Sequence, residues 1–300
     1  MLETSFYWSW LAGITNCDQT FVAALSFARS ESKISFDFLF WSLQQHVFTA
    51  SIPLSRVVIS DQATGLTASL LTTLPNAILQ YCDWHAVENV IKRLVDYEYK
   101  KEERKELRDL LWRFIKSQTH AELAEHRLNL HSKLNESEIE YLKTYWGPRE
   151  MYFLRLYTRM YPNLGAHSNQ RSESIHPVTT QILNKNLSMK KATKRLRETI
   201  ESKFRELSET EATTGSKLPR LIDLQAFKWL ANTVTYQAIN RLAPEWEATK
   251  KGCQDGSLRA SLGPCTHYEL LIRYSIPCKH HLRQVCLNRA SIPRPLLHPR

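Results

Sequence analysis

Hydrophobic positions in the first hundred residues switch between strand-like and helix-like spacing. Two aromatic and β-branched runs, residues 7–15 and 20–29, are separated by the turn-forming residues NCDQ, and this predicts an antiparallel hairpin. Apolar residues then recur at helical spacing over residues 35–46, with Ser35 as the predicted N-cap. The next predicted elements are a strand over 56–60, a helix over 62–73, a strand over 77–82 and a helix over 84–97. This alternation predicts an α/β sheet with crossover helices.

The pattern changes after residue 97 to charged, leucine-rich sequence of helical period, broken at Gly147-Pro148 and at Pro162. It predicts an all-helical insertion over residues 98–162. A polar segment follows, and then a long basic helix is predicted over 187–207 and a linker over 210–217. Toward the end of the chain, one or two helices are predicted through residue 246. After them, residues 268–277 predict a strand and a turn, and residues 280–287 predict a helix.

Composition and charge narrow the class of protein. Of the 300 residues 43% are hydrophobic and eight are Trp, which predicts a folded protein rather than a disordered one. Forty basic and thirty acidic residues leave a formal charge of +10, which favours a polyanionic partner such as DNA, RNA or an acidic membrane surface. The sequence predicts no membrane span and no signal peptide. Six scattered cysteines in a chain of this size predict an intracellular protein whose late cysteines bind metal.

Asp61 is the first candidate for chemistry. It directly follows a predicted buried strand, at the edge of the sheet where α/β folds assemble their sites. Phosphodiester chemistry with two divalent metals needs two or three carboxylates around ions about 3.5–4 Å apart, and Mg²⁺ prefers such oxygen ligands. An Asp at a strand end is more often a helix cap, so Asp61 alone leaves both interpretations open.

The residues around Asp61 resemble a known family. VVISDQATGLTASLLTTLPNAILQYCDWHAVENV, residues 57–90, resembles the heart of the Mutator-like (MULE) transposase domain. There a strand ends on the second catalytic Asp, and the next strand runs into a Cys-x-x-His pair, here Asp61, Cys82 and His85. The preceding GITNCDQTFVAALSFARSESKISFDFLFWSL is similar to the family's strand-turn-strand and following helix. The resemblance extends from about residue 6 to residue 287, favours the fungal branch, and implies an RNase H-like fold of the DDE integrase type.

The resemblance also implies a third acid and a missing first one. In the family the third acid is a Glu beyond a helical insertion, and SNQRSES at 168–174 is similar to that segment, which assigns the role to Glu173; the alternative is a solvated surface Glu. The family's first Asp, in an Asp-x-Thr-Tyr strand, has no counterpart before Tyr7, where Glu3 is the one acid. We therefore expect an N-terminally truncated domain, related to enzymes that use Mg²⁺ or Mn²⁺, which is catalytically inert.

Cys82 and His85 have a spacing compatible with zinc, but no second local pair accompanies them. The resemblance makes them neighbours of the active site that help to position metal or DNA. Two other interpretations stay open. One is a buried thiol with a His at the start of a helix, and the other is a zinc metallohydrolase site that includes Asp61.

The late cysteines and histidines form two tight pairs. Cys265-x-His267 and Cys278-x-His280 are separated by ten residues, and two thiolates with two imidazoles satisfy tetrahedral Zn²⁺. The pattern resembles a SWIM zinc finger, Cys-x-Cys followed by Cys-x-His, with His267 in place of the second Cys. SIPCKHHL also resembles the family's Gly-(Ile/Leu)-Pro-Cys-x-His, with Ser275 in place of Gly. His281 is a competing ligand to His280.

These inferences predict five regions: an RNase H-like core without its first strand at 1–97, the insertion at 98–162, the rest of the core at 163–209, linker and helices at 210–245, and the SWIM-type finger at 246–290. The predicted function is that of a transposase-derived, nuclear, DNA-binding protein. Its partner is DNA at transposon ends, and the finger contacts DNA or a protein. A basic helix after Glu173 neutralises phosphates or is an ordinary solvated face. The alternative is a non-enzymatic zinc-binding interaction module, domesticated or relic.

Overall fold

The computed structural model describes residues 7–48, 56–94, 99–182, 188–214, 225–230, 234–258 and 269–293, except Asn16. Its first elements are β1 (Tyr7–Ile14), β2 (Thr20–Ala28), α1 (Lys33–His46), β3 (Val57–Ser60), α2 (Thr64–Thr73), β4 (Ile78–Tyr81) and α3 (Asp83–Leu94). This order confirms the alternation predicted from the hydrophobic pattern. The protein is of mixed α/β class, mostly helical with small sheets.

The predicted insertion is helical. Its elements are α4 (Lys101–Ile115), α5 (His120–His131), α6 (Glu136–Tyr141), a π-helical turn (Leu142–Trp146), a 3-10 turn (Gly147–Arg149), α7 (Glu150–Phe153) and α8 (Arg155–Thr158). Six further helices follow within the described residues: α9 (Gln170–Glu173), α10 (His176–Ile182), α11 (Met189–Thr214), α12 (Tyr236–Gln254), α13 (Glu269–Tyr274) and α14 (Lys279–Leu287). None of the helices in the described ranges is long and apolar enough to cross a membrane.

The strands of the described ranges pair in two two-stranded sheets. β1 and β2 form the predicted hairpin, whose turn is closed by hydrogen bonds from Thr15 N to Gln19 O (2.8 Å) and from Asp18 N to Thr15 O (3.0 Å). β3 and β4 are parallel, with Val57 opposite Ile78 and Ser60 opposite Tyr81. Parallel neighbours need a crossover connection, and α2 provides it.

The chain divides into two compact units. The first comprises residues 1–9 and 26–170, and the second comprises residues 10–25 and 171–300. In the first unit α1 packs against α2, and α3 buries Val87, Val90, Ile91 and Leu94. The core of the second unit is formed by Ala226, Phe227, Leu230, Ile239, Leu242, Trp246, Ile276, Leu282 and Ile292.

Three local predictions were wrong. The N-cap of α1 is Ser32, whose Oγ accepts a hydrogen bond from Ser35 N (3.4 Å); the earlier start adds the ion pair between Lys33 and Asp37 (2.8 Å). Residues 210–214 of the predicted linker continue α11, where the hydroxyls of Thr210 and Thr213 donate to the carbonyls of Glu206 and Thr210. The predicted strand within 268–277 is the helix α13.

Candidate active site and metal centre

The carboxyl ends of β3 and β4 bring two of the predicted residues together. Cys82 N donates a hydrogen bond to Ser60 O at 2.8 Å, which continues the parallel ladder one residue beyond β4. Asp61 follows Ser60 directly, so Asp61 and Cys82 lie on neighbouring strand ends at one edge of the sheet. Asp61 therefore lies beside the start of the Cys-x-x-His segment.

Asp61 is half-buried, and one of its carboxylate oxygens makes a local hydrogen bond. Its Oδ1 accepts a hydrogen bond from Ala63 N at 3.1 Å, and Ala63 is the residue that precedes α2 without a side-chain cap of its own. This is the local turn that Asp side chains form at helix starts. Within the described part of the chain Oδ2 has no hydrogen-bond partner. Asp61 thus supports the start of α2 and still presents an oxygen that fits a hard cation.

Cys82 is fully buried, at 0% exposure, directly before α3. Burial raises the pKa of its thiol, although backbone N–H groups of His85, Asn169 and Trp84 hydrogen-bond to the sulfur and act in the opposite direction. Two of these N–H groups belong to the first turn of α3, so the thiol caps that helix. The sulfur therefore has a structural role at the start of α3.

His85 lies in the first turn of α3, half-buried, with its ring edge-on to Trp84 at a centroid distance of 4.8 Å. Trp84 itself is 45% exposed. The start of α3 therefore presents an exposed aromatic face with an imidazole beside it.

Asp83 is a residue that the sequence analysis missed. It is buried, its Oδ2 accepts from Arg155 Nη2 at 2.9 Å, and burial raises its pKa, while Arg155 acts to lower it. Asp83 N also donates to His167 O at 3.0 Å. These contacts hold both the end of the insertion and the polar segment beyond it against the start of α3. The sequence signal that could have identified it is an acidic residue between Cys82 and Trp84.

A buried amide network returns the chain to β4 after the insertion. Gln80 Nε2 donates to Thr158 O at 3.0 Å, and Asn163 Nδ2 donates to Gln80 Oε1 at 3.1 Å. The chain then turns through Leu164 (φ 54°) and Gly165 (φ 80°). Since the left-handed conformation is unfavourable for Leu, the network must hold this turn in place. The polar segment predicted to return to the sheet does so, up to its contacts with Cys82 and Asp83.

Glu173 is the last residue of α9, and it is half-buried. It belongs to the second unit, whereas Asp61 belongs to the first, so the convergence of the two carboxylates stays a prediction. Two residues earlier, Arg171 donates from Nη1 to Asp18 O and from Nη2 to Asp18 Oδ1, both at 2.8 Å. The turn that carries Glu173 is thereby fixed to the turn of the β-hairpin.

The described half of the predicted zinc site is compact. Cys278 is fully buried and is the N-cap residue of α14. His280 Nδ1 lies 3.8 Å from Cys278 Sγ, and His281 Nδ1 lies 3.0 Å from it. Cys265 and His267 lie outside the described residues, and no group of three or more His, Cys, Asp or Glu within the described ranges is arranged to hold a metal ion.

The first third of α11 is exposed and basic. Lys190, Lys191, Lys194, Arg195 and Arg197 are exposed, while Ala192 and Leu196 are buried. Lys194 and Arg197 pair with acids one turn later, at 3.8 Å and 2.8 Å. The segment presents positive charge to solvent, as predicted.

Comparison with known proteins supports the resemblance over the first part of the chain. The family model of the MULE transposase domain matches residues 6–89. This range contains the hairpin, both parallel strands, Asp61, Cys82 and His85. A comparison with curated proteins gave no match.

Proposed function

We propose that this chain, which carries a MULE transposase domain over residues 6–89, is a transposase-derived DNA-binding protein with an RNase H-like core of the DDE type. The observation that carries the proposal is the parallel edge where Asp61 lies beside Cys82. The polar segment that leads to Glu173 returns to this same edge through Asn169 and His167.

In this proposal Asp61 and Glu173 bind Mg²⁺ or Mn²⁺. Asp61 fits the task because Oδ2 has no partner in the described part of the chain. Such metals, when bound, would supply activation of water, and then of a 3′-hydroxyl, for attack on a DNA phosphodiester. We expect Asp61 and Glu173 to bind metal at a site that also binds DNA.

The DNA partner is proposed from the charge of α11 and the chain's net charge of +10. Residues 189–197 contain five basic residues and no acidic one, at the end of a helix where the macrodipole disfavours positive charge. Such placement is unfavourable for the helix itself and favourable for a phosphate backbone. The exposed Trp84 adds a face on which a base can stack.

Cys265, His267, Cys278 and His280 bind Zn²⁺ in the proposed SWIM-type finger, which contacts DNA or a protein. Cys278 and His280 fit this role because two ligands of one tetrahedral Zn²⁺ lie about 3.6 Å apart when one is sulfur and one is nitrogen, close to the 3.8 Å observed. A DNA partner in turn makes the nucleus the proposed location.

The convergence of the acids is testable with Fe²⁺ in place of Mg²⁺, because bound Fe²⁺ with ascorbate and peroxide cuts the polypeptide next to its site. We expect cuts near residue 61 and near residue 173, both suppressed by excess Mg²⁺ and both lost in Asp61→Asn. The matched control is Asp109→Asn, which changes an exposed Asp of α4 and should leave both cuts unchanged. Cuts at one position alone would overturn the shared site.

DNA binding is testable by fluorescence anisotropy with a labelled duplex over a salt series. Lys190→Gln with Lys191→Gln should weaken binding and reduce the salt slope by about 0.9 for each phosphate that is no longer neutralised. Lys203→Gln with Arg205→Gln, on the mixed-charge half of the same helix, is the control and should have the smaller effect. Equal effects would assign binding to net charge rather than to this segment.

A second candidate is a non-enzymatic zinc-binding interaction module, which the buried Cys278 with two adjacent imidazoles favours. It predicts that removal of zinc abolishes partner binding while Asp61→Asn has no effect on it. The metallohydrolase alternative predicts that Cys82→Ser loses zinc, whereas the proposed finger predicts that only Cys265→Ser does, and metal analysis of the two variants separates them.

A further inference from the structure

The start of α14 places two imidazoles around one thiol. Cys278 is the N-cap residue, with extended φ and ψ of −78° and 167°. His280 and His281 are the second and third residues of the helix. Their Nδ1 atoms lie 3.8 Å and 3.0 Å from the same sulfur, so the two histidines differ in their relation to Cys278.

These two distances correspond to two different roles. A sulfur and a nitrogen that share a tetrahedral zinc, with bonds of about 2.3 and 2.0–2.1 Å, are about 3.6 Å apart. The His280 distance agrees with that value. The His281 distance is too short for two ligands of one tetrahedral zinc. With the same bond lengths, a separation of 3.0 Å would require an angle of about 90° at the metal. It is instead within hydrogen-bonding reach of the sulfur.

The arrangement rests on a rigid support. Ile276 and Leu282, on either side of the histidines, are fully or almost fully buried in the core of the second unit. Leu282 N donates to Cys278 O at 3.1 Å, which closes the first turn of α14. His281 is exposed, so its ring can be changed without opening that core.

We infer that His281 is a positioning residue of the zinc finger, whose Nδ1–H donates a hydrogen bond to Cys278 Sγ while His280 binds the metal. This inference rests on the zinc site proposed above. The donated hydrogen bond orients the thiolate and spreads its negative charge, which favours the metal-bound geometry before metal arrives. Outer-shell partners of this kind contribute about 10- to 100-fold to metal affinity.

The test is Co²⁺ binding by the full-length chain, followed by the thiolate charge-transfer and d–d absorption bands. His281→Ala should leave the shape and intensity of the saturated spectrum unchanged and weaken Co²⁺ binding by about 10- to 100-fold. His281→Asn should restore most of the affinity, since the Asn side-chain N–H replaces Nδ1–H but does not replace an imidazole ligand. His280→Asn should lose d–d intensity, because a nitrogen ligand is removed. Circular dichroism of each variant checks that the fold is retained.

Three other results would count against the role of His281 or against the zinc site itself. If His281→Asn loses d–d intensity and His280→Asn does not, His281 is the ligand and the inference is overturned. If His281→Ala binds Co²⁺ as tightly as the unchanged chain, the hydrogen bond has no role and only the zinc site stands. If the unchanged chain gives no tetrahedral Co²⁺ spectrum, the zinc site itself is wrong and the inference falls with it.

Discussion

At the scale of single residues, Ser275 shows how a backbone requirement underlies a motif. It ends α13 with φ of 55°, and the helix end is closed by hydrogen bonds from Ser275 N to Leu271 O (3.0 Å) and from Ile276 N to Leu270 O (3.2 Å). This is the left-handed helix C-cap that normally carries Gly. The resembling SWIM pattern has Gly here, and the positive φ is a physical reason for Gly at this position, where this chain has Ser.

Ser275→Gly should therefore stabilise the protein. The left-handed conformation is unfavourable for a residue with a side chain by about 1 kcal/mol or more, and the greater freedom of Gly in the unfolded chain offsets part of the gain. We expect an increase of up to about 1 kcal/mol in the free energy of unfolding, measured by urea denaturation. Ser208→Gly, within the exposed part of α11, should instead lower it, by about 0.5–1 kcal/mol. A decrease in the free energy of unfolding for Ser275→Gly would contradict the left-handed C-cap.

The buried pair of Asp83 and Arg155 predicts a pH dependence with a definite sign. Burial raises the pKa of Asp83 in the folded state, and the attraction of Arg155 does not fully offset it. A carboxyl whose folded pKa is raised contributes stability that is complete below its unfolded pKa of 3.8 and is lost as pH rises through the folded pKa. Asp83→Asn removes this dependence. The free energy of unfolding of the unchanged chain should fall, relative to Asp83→Asn, as pH rises from 3 to 7.

Asp37 provides the opposite control for that measurement. Its hydrogen bonds with Lys33 and then Ser69 lower the pKa of its carboxyl. Its contribution to stability is therefore present above pH 3.8 and is lost as pH falls. Relative to Asp37→Asn, the unchanged chain should gain stability as pH rises. If the difference in free energy of unfolding changes with pH in the same direction for both variants, burial does not determine the pKa of Asp83.

At the scale of elements, the sequence succeeded where periodicity and turn chemistry agree. β3, α2, β4 and α3 were predicted because the spacing of their apolar residues and the turn residues between them indicated the same element types. ELLIRY in α13 failed because a short apolar run carries no periodicity that separates strand from helix. Tertiary packing decides it: Leu270 and Tyr274, four residues apart, both pack against the core of the second unit, and Arg273 pairs with Glu269.

The charge order of α11 predicts opposite effects on stability and on DNA binding. Its first residues are basic and its last acidic residues, Glu209 and Glu211, lie near the C-terminal end, which is the reverse of what the helix macrodipole favours. Lys190→Glu with Lys191→Glu should raise the free energy of unfolding by about 0.3–1 kcal/mol per residue and weaken duplex binding. Thermal melts and anisotropy measure the two effects. If the free energy of unfolding also falls, the basic residues are not unfavourable for the helix, and the charge order gives no argument for a phosphate partner.

At the scale of the whole molecule, long-range contacts are what the sequence could not provide. Asp61 and the Cys82–His85 segment were predictable because they lie within one strand-helix-strand unit that the family resemblance covers. The network of Gln80 and Asn163 joins residues 83 positions apart, and nothing local marks either as a partner. The second unit likewise combines residues 10–25 with residues 171–300, a combination that no linear division into regions anticipates.

Asp18 is the residue on which this discontinuous unit most visibly depends. It sits in the hairpin turn with φ of 61°, and accepts from Arg171 (2.8 Å) and from Arg241 Nη2 (3.0 Å). Arg241 in turn lies over the ring of Tyr274 at 4.5 Å. One carboxylate therefore connects the hairpin to the turn bearing Glu173 and to helices of the C-terminal core.

Asp18→Asn should loosen that connection more than it lowers global stability. All three charged side chains are 29–40% exposed, so solvent screening limits the cost to about 1 kcal/mol. Because an amide keeps the backbone turn but pairs weakly with two guanidinium groups, amide hydrogen exchange should rise selectively in residues 171–182 and in the hairpin turn, while α4 and α5 remain as protected as before. Asp109→Asn, with the same charge change at an exposed site of α4, should leave exchange in 171–182 unaltered. Equal exchange in the two variants would mean that the segment carrying Glu173 is held by its own packing, and the ion pairs would then have no part in placing the candidate acid.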